Sequence, residues 1–135
     1  MIYRSTRSQG QEVTTAQAIV QGLAPDGGLF VPKEFPAPFS AAALKEIFAL
    51  PYQDMAKKIL ALFLTDYSAE QLAEIVKGAY GQQWDDDRIA PLTDKKAGNY
   101  YLELFHGPTL AFKDVALQCL PRLMKTALEN SDDHR

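Results

Sequence analysis

Apolar and polar positions fall into three patterns along this chain, and each predicts different elements. The first third has the pattern of a small α/β unit. A short strand is expected over 2–6. Thr14 or Thr15 is placed to cap a short helix running to Gly22, where glycine is a natural C-terminal stop. Pro25-Asp26-Gly27-Gly28 reads as a turn, because proline presets one dihedral and glycine permits positive φ. Leu29 to Val31 reads as a strand, and Pro32, Pro36 and Pro38 mark a loop.

The middle third has helical spacing. Ser40 is placed to cap a helix over Ala41 to Leu50, and Pro51 suits the first turn of the next. There Tyr52, Met55, Ala56, Ile59, Leu60 and Phe63 recur at three- and four-residue steps, which predicts one apolar face. Ser68-Ala69-Glu70-Gln71 has the form of a capping box. Leu72, Ile75, Val76, Ala79 and Tyr80 form a second stripe, so a pair of antiparallel helices is expected. Asp85-Asp86-Asp87 reads as a solvated loop, since three consecutive carboxylates do not share a face.

In the last third, Ile89 to Thr93 and Tyr100 to Phe105 are strand-like, with a turn over 94–99 between them. Asp114 is expected to cap a final helix with the stripe Ala116, Leu117, Leu120, Leu123, Met124, Ala127 and Leu128. Pro121 interrupts that stripe and predicts a kink, since it lacks an N–H and clashes with the carbonyl of Leu117. The polar stretch 129–135 is expected to fray.

Composition narrows the classes. The 135 residues are 47% apolar and 23% charged, which suits a globular domain with a core. A net charge of −3 gives no electrostatic footprint for nucleic acid. No apolar run approaches the roughly 18 residues of a membrane span, and residues 1–7 lack the apolar core of a signal peptide. A cytoplasmic setting is expected. One cysteine and two histidines leave no disulfide and no metal-ligand spacing.

Candidate chemistry concentrates at Lys113, within His106-Gly107-Pro108-Thr109-Leu110-Ala111-Phe112-Lys113-Asp114. A solvated lysine titrates near 10.4. Here Leu110, Ala111 and Phe112 precede the amine, and a strand-to-helix junction surrounds it. Apolar neighbours that exclude water would disfavour the ammonium and give a nucleophilic amine able to form a Schiff base. The same residues also allow a lysine that extends into solvent from a helix start. His106 and Thr109 are read as a turn-stabilising and a capping residue, and Asp114 as a cap rather than a catalytic acid.

Three segments resemble threonine synthase, a pyridoxal-phosphate enzyme of fold type II. They are Tyr3-Arg4-Ser5-Thr6-Arg7, the stretch from Gly22 to Pro32 containing Pro25-Asp26-Gly27-Gly28, and the stretch from Leu102 to Gln118 containing Lys113. The third is the most specific. The resemblance implies that Lys113 is both the catalytic residue and the cofactor-binding residue that carries pyridoxal 5′-phosphate. It implies a lyase acting on the small-molecule substrate O-phospho-L-homoserine, with threonine and phosphate as products. It also implies an N-terminal α/β domain with a helical pair over 1–85, followed over 86–135 by the first strands and helix of an incomplete cofactor-binding α/β domain.

Members of that family run to several hundred residues. The chain is therefore expected to be an N-terminal fragment without activity alone, its partner being the rest of the catalytic domain. A phosphate cradle and a partner for the pyridine nitrogen would have to come from there. Two alternatives stay open: a threonine synthase-like phospholyase with another substrate, and a non-catalytic interaction domain. In the latter, the last strand and helix would expose an apolar patch that invites self-association.

Overall fold

In the computed structural model, which describes residues 1–8 and 10–130, two reciprocal caps set the helical frame. The Thr14 side chain accepts from the Gln17 N–H, while Gln17 Oε1 accepts from the Thr14 N–H at 2.9 Å. Ser68 and Gln71 repeat the arrangement, with the Gln71 side chain 2.9 Å from the Ser68 N–H. Each pair satisfies two N–H groups that a helix start leaves without partners. Helix α1 (Thr15–Gln21) follows Thr14 and stops at Gly22, whose φ is 75°.

Strand β1 (Ile2–Ser5) lies between β2 (Val13–Thr14) and β3 (Phe30–Pro32), antiparallel to both. Its register pairs Tyr3 with Pro32 and Ser5 with Phe30. Helix α2 (Ala41–Phe48) starts at Ser40, and α3 (Tyr52–Phe63) at Pro51. Pro51 thus occupies the cap and not the first helical position. Helix α4 (Ala69–Ala79) packs on α3. The Phe63 carbonyl accepts from the hydroxyls of Tyr3 at 3.2 Å and Thr15 at 2.8 Å, which ties the sheet and α1 to the helical pair.

The two helical stripes differ in depth. Leu72, Ile75, Val76, Ala79 and Tyr80 are all buried. In α3 no residue is fully buried: Tyr52, Ala56 and Leu60 lie partly covered against the core, while Ile59 is exposed. The expected apolar face of α3 is therefore a narrow contact strip at the margin of the core.

Ile89 is buried with a φ of 64°, so it leaves extended geometry where a strand was expected. The hairpin instead pairs β4 (Leu92–Lys96) with β5 (Asn99–Leu102), Leu92 opposite Leu102, with an irregularity between Asp94 and Lys96. Helix α5 (Asp114–Leu117) and helix α6 (Leu120–Asn130) replace the single kinked helix. The break falls at Gln118 and Cys119, ahead of Pro121, which sits in the first turn of α6 where its missing N–H costs no helical bond. Cys119, Leu123 and Ala127 enter the same core as α4, together with Leu64, Tyr67, Trp84 and Ile89. That core thus draws residues from both sides of position 85.

The architecture is mixed α/β, with the helical pair in place. Among the described residues, no helix is long and apolar enough to cross a membrane. Residues 131–135, expected to fray, lie outside the described ones.

Candidate active-site segment

The segment from Glu103 to Asp114 connects β5 to α5, and polar contacts rather than apolar packing give it shape. Asp114 is 3% exposed and is the first residue of α5. Its carboxylate folds back over the loop: Thr109 donates its N–H to Oδ2 at 2.8 Å and its hydroxyl to Oδ1 at 2.9 Å. The Leu110 N–H closes a turn on the Gly107 carbonyl at 3.0 Å, and the Asp114 N–H reaches the Ala111 carbonyl at 3.0 Å. Leu110 takes a φ of 60°, a left-handed conformation that costs a non-glycine residue about 1 kcal/mol. Gly107 passes so close to Asp114 that a Cβ built on it would lie 2.5 Å from the Asp114 Cβ.

This arrangement corrects two expectations. Asp114 does not cap the helix; Lys113 holds that position, in helical conformation (φ −62°, ψ −24°). Its carbonyl accepts from the N–H groups of Ala116 at 3.0 Å and Leu117 at 2.8 Å. Thr109 is likewise not a helix cap but the donor pair for Asp114.

Lys113 itself is exposed. Leu110 and Phe112, expected to exclude water from its amine, are 69% and 66% exposed. Local sequence apolarity therefore does not produce a desolvated pocket among the described residues. The lysine sits on a fixed backbone with its side chain open to solvent. The buried side of α5 is secured by the Tyr80 hydroxyl, which donates to the Val115 carbonyl at 2.9 Å. Burial pushes the Tyr80 phenol up and the nearby Cys119 thiol up as well, so both stay protonated at neutral pH.

His106 anchors the other end of the loop. Its Nδ1 lies 2.5 Å from Asp85 Oδ1, and its Nε2 lies 2.9 Å from Glu103 Oε2. The Asp85 N–H also donates to the His106 carbonyl at 3.1 Å. Glu103 Oε1 accepts from the Thr93 hydroxyl at 2.8 Å, and the Glu103 N–H donates to the Pro91 carbonyl at 2.9 Å. The imidazole pKa is raised, first by the hydrogen bond to Glu103 and further by Asp85, against an opposing effect of burial. The Phe105 ring lies 4.6 Å away.

His106 thus joins Asp85 and Glu103 across the loop, which fits the turn-stabilising part expected of it. Its partners were not foreseen. Glu103, three residues earlier, was available as a signal; Asp85 becomes a partner only through the fold. Of the three consecutive aspartates, Asp85 meets His106 and Asp86 pairs with Arg88, with 2.9 Å to Nε and 2.6 Å to Nη2. The Arg88 side-chain hydrogen bonds hold the Asp86 carboxyl at about 2. Among the described residues, no cluster of His, Cys, Asp or Glu is arranged to hold a metal ion.

The second sequence signature is built in the same manner. Asp26 Oδ1 accepts from the Ser5 hydroxyl at 2.7 Å and from the Gly28 N–H at 2.9 Å. Gly27 supplies the positive φ, at 76°, that the turn requires.

Comparison with known proteins places this geometry. The family model described as "Threonine synthase N terminus" matches residues 2–80. Threonine synthase of Saccharomyces cerevisiae is 37% identical over 97% of this chain and 27% of its own length. Human "Threonine synthase-like 1" is 40% identical over 80% of this chain and 15% of its own length. The crystal structure of PLP-bound threonine synthase from Brucella melitensis superposes with a TM-score of 0.89 at 38% identity, covering 96% of this chain and 28% of that one. The chain thus spans about a quarter of the length of the threonine synthases it matches.

Proposed function

We propose that this chain, which belongs to the threonine synthase family, carries the lysine-bearing segment of a lyase. The reaction proposed for the whole protein is conversion of O-phospho-L-homoserine and water to L-threonine and phosphate, which is what the likeness to proteins named threonine synthase supports. Residues 1–85 are then the N-terminal domain and 86–135 the start of the cofactor-binding domain, working in the cytoplasm with the remainder of the catalytic domain.

The observation that carries this reading is the setting of Lys113. An exposed amine stands on a backbone fixed by the Asp114–Thr109 contacts and the α5 start. That suits covalent attachment of an aldehyde cofactor. Lys113 Nζ would hold pyridoxal 5′-phosphate and would move a proton at the substrate carbons. When bound, the cofactor supplies an electron sink for charge developing at those carbons. The described residues near Lys113 offer no glycine-rich phosphate cradle, and α5 is only four residues long. The 135 residues alone are therefore proposed to be inactive.

A second reading, a threonine synthase-like protein with another substrate, is favoured by the identity to the human protein of that name. A chimera separates the two. This chain replaces the matching part of the Brucella enzyme, and phosphate release from O-phospho-L-homoserine is measured. Activity that disappears in Lys113→Ala is expected. An active Lys113→Ala chimera would overturn the role of the lysine. A folded, cofactor-loaded chimera that leaves phosphohomoserine intact would favour the second reading. The isolated chain should release no phosphate above its own Lys113→Ala control.

A further inference from the structure

His106 lies between two carboxylates, and the geometry constrains its charge. A neutral imidazole has one N–H and one lone pair, whereas an ionised carboxylate only accepts. With Asp85 Oδ1 at 2.5 Å from Nδ1 and Glu103 Oε2 at 2.9 Å from Nε2, both contacts are hydrogen bonds only when both nitrogens carry protons. The charged groups facing the ring from the surrounding segments are Asp85, Glu103 and Asp86, with Arg88 held on Asp86 and acting on Glu103.

The bridge joins a rigid element to the lysine loop. Asp85 follows Trp84, which is 6% exposed and donates Nε1–H to the Ala79 carbonyl at 2.8 Å at the end of α4. His106 precedes Gly107, where the Asp114-stapled turn begins. Through these two contacts His106 connects the segment that follows α4 to the entry of the Lys113 loop.

We propose that His106 is a positioning residue for Lys113: as an imidazolium it bridges Asp85 and Glu103 and fixes the loop entry, and on losing its proton it releases one of the two. This role rests on the reading of Lys113 given above, whereas the bridge is a property of the chain without any ligand. The sign follows from the raised ring pKa. The bridge is intact below the ordinary histidine value of about 6.5 and is lost as pH rises through the higher folded value.

The test uses the ligand-free 135-residue chain. Ring protonation of His106 is followed by NMR, with the second histidine identified by His134→Gln, alongside amide exchange at Thr109, Leu110 and Asp114. A ring midpoint above about 6.5 is expected. Protection of the three amides should fall with the same midpoint. Glu103→Gln should bring the midpoint back toward 6.5, and His106→Gln should show the unprotected loop at every pH. A ring midpoint at or below 6.5, or loop protection that ignores it, overturns the proposal. If His106→Gln fails to fold, the wild-type titration and Glu103→Gln decide alone. Because no step requires cofactor, this result stands apart from whether Lys113 binds one.

Discussion

Removing the Asp114 carboxylate should loosen the Lys113 loop before it affects the rest of the molecule. Asp114→Ala deletes the acceptors for the Thr109 N–H at 2.8 Å and the Thr109 hydroxyl at 2.9 Å, both directed at one side chain that is 3% exposed. Hydrogen bonds to an ionised group are worth about 1.5–3 kcal/mol each. Thr109 is itself exposed and can turn to water once its partner is gone, which reduces the loss. A net cost of about 2–4 kcal/mol follows, a large part of the roughly 5–15 kcal/mol typical of a domain. Asp114→Asn keeps an oxygen for the Thr109 N–H and presents an amide N–H to the hydroxyl, so it should cost about 1 kcal/mol.

Urea unfolding reports the difference, because Trp84 is the only tryptophan and is buried. With a slope of about 2 kcal/mol per molar urea, the middle of the usual range, Asp114→Ala should shift the midpoint by about 1–2 M. Exchange of the Thr109 amide should accelerate in Asp114→Ala and remain slow in Asp114→Asn. If alanine costs less than about 0.5 kcal/mol, or equals asparagine, the carboxylate is not a staple. Asp114 would then be only an acidic residue in a first helical turn, worth about 0.3–1 kcal/mol.

Gly107→Ala puts a Cβ 2.5 Å from the Asp114 Cβ and 2.6 Å from its Oδ2, so a loss of about 1–3 kcal/mol with faster Thr109 exchange is expected in the same assays. Ile89→Ala should cost about 2–5 kcal/mol from burial alone. Ile89→Gly should be no worse than alanine, since it relieves a φ of 64° worth about 1 kcal/mol; a clearly worse glycine variant would contradict the backbone assignment. The Asp26 carboxyl is held at about 2 by hydrogen bonds from Ser8, Ser5 and the Gly28 N–H. Its folded value is below the unfolded value of about 3.9, so its contribution is present above that pH and lost as pH falls through about 2. Ser5→Ala should raise the Asp26 midpoint in an NMR titration; an unchanged midpoint would remove Ser5 from the cause.

The fold was legible at several positions where a local rule acted alone, though not at Asp114 or Pro121. Thr14, Ser68 and Gly22 mark helix ends through their own hydrogen bonds or φ, and the α4 stripe marks a buried face directly. Legibility failed where distant residues decided. Ile89 has the composition of a strand, yet the α4–α6 core takes its side chain and bends its backbone. The α3 stripe has the right period, but Ile59 is left exposed by a narrow contact. In the candidate site, Lys113 stood out from its own neighbours, and the Glu103–His106 spacing was readable. Asp85 was not, because it reaches the ring across 21 positions of chain.

That failure changes how the lysine segment is to be understood. From sequence, Leu110 and Phe112 were to shield the amine and tune its chemistry. Both face outward, and so do Phe105, Leu117, Tyr100 and Tyr101. What surrounds the Lys113 backbone instead is a set of directional contacts: Asp114 to Thr109, His106 to Asp85 and Glu103, and Tyr80 to Val115. Directional contacts fix an atom's position without removing water from it, whereas apolar contacts remove water without fixing a direction. On the proposed reading the two tasks are divided. Residues 103–115 set where the amine stands, and the exposed apolar side chains are the surface on which the remainder of the catalytic domain would exclude water. Position is then testable in the 135 residues alone, through Asp114 and His106, while nucleophilicity is testable only in the chimera.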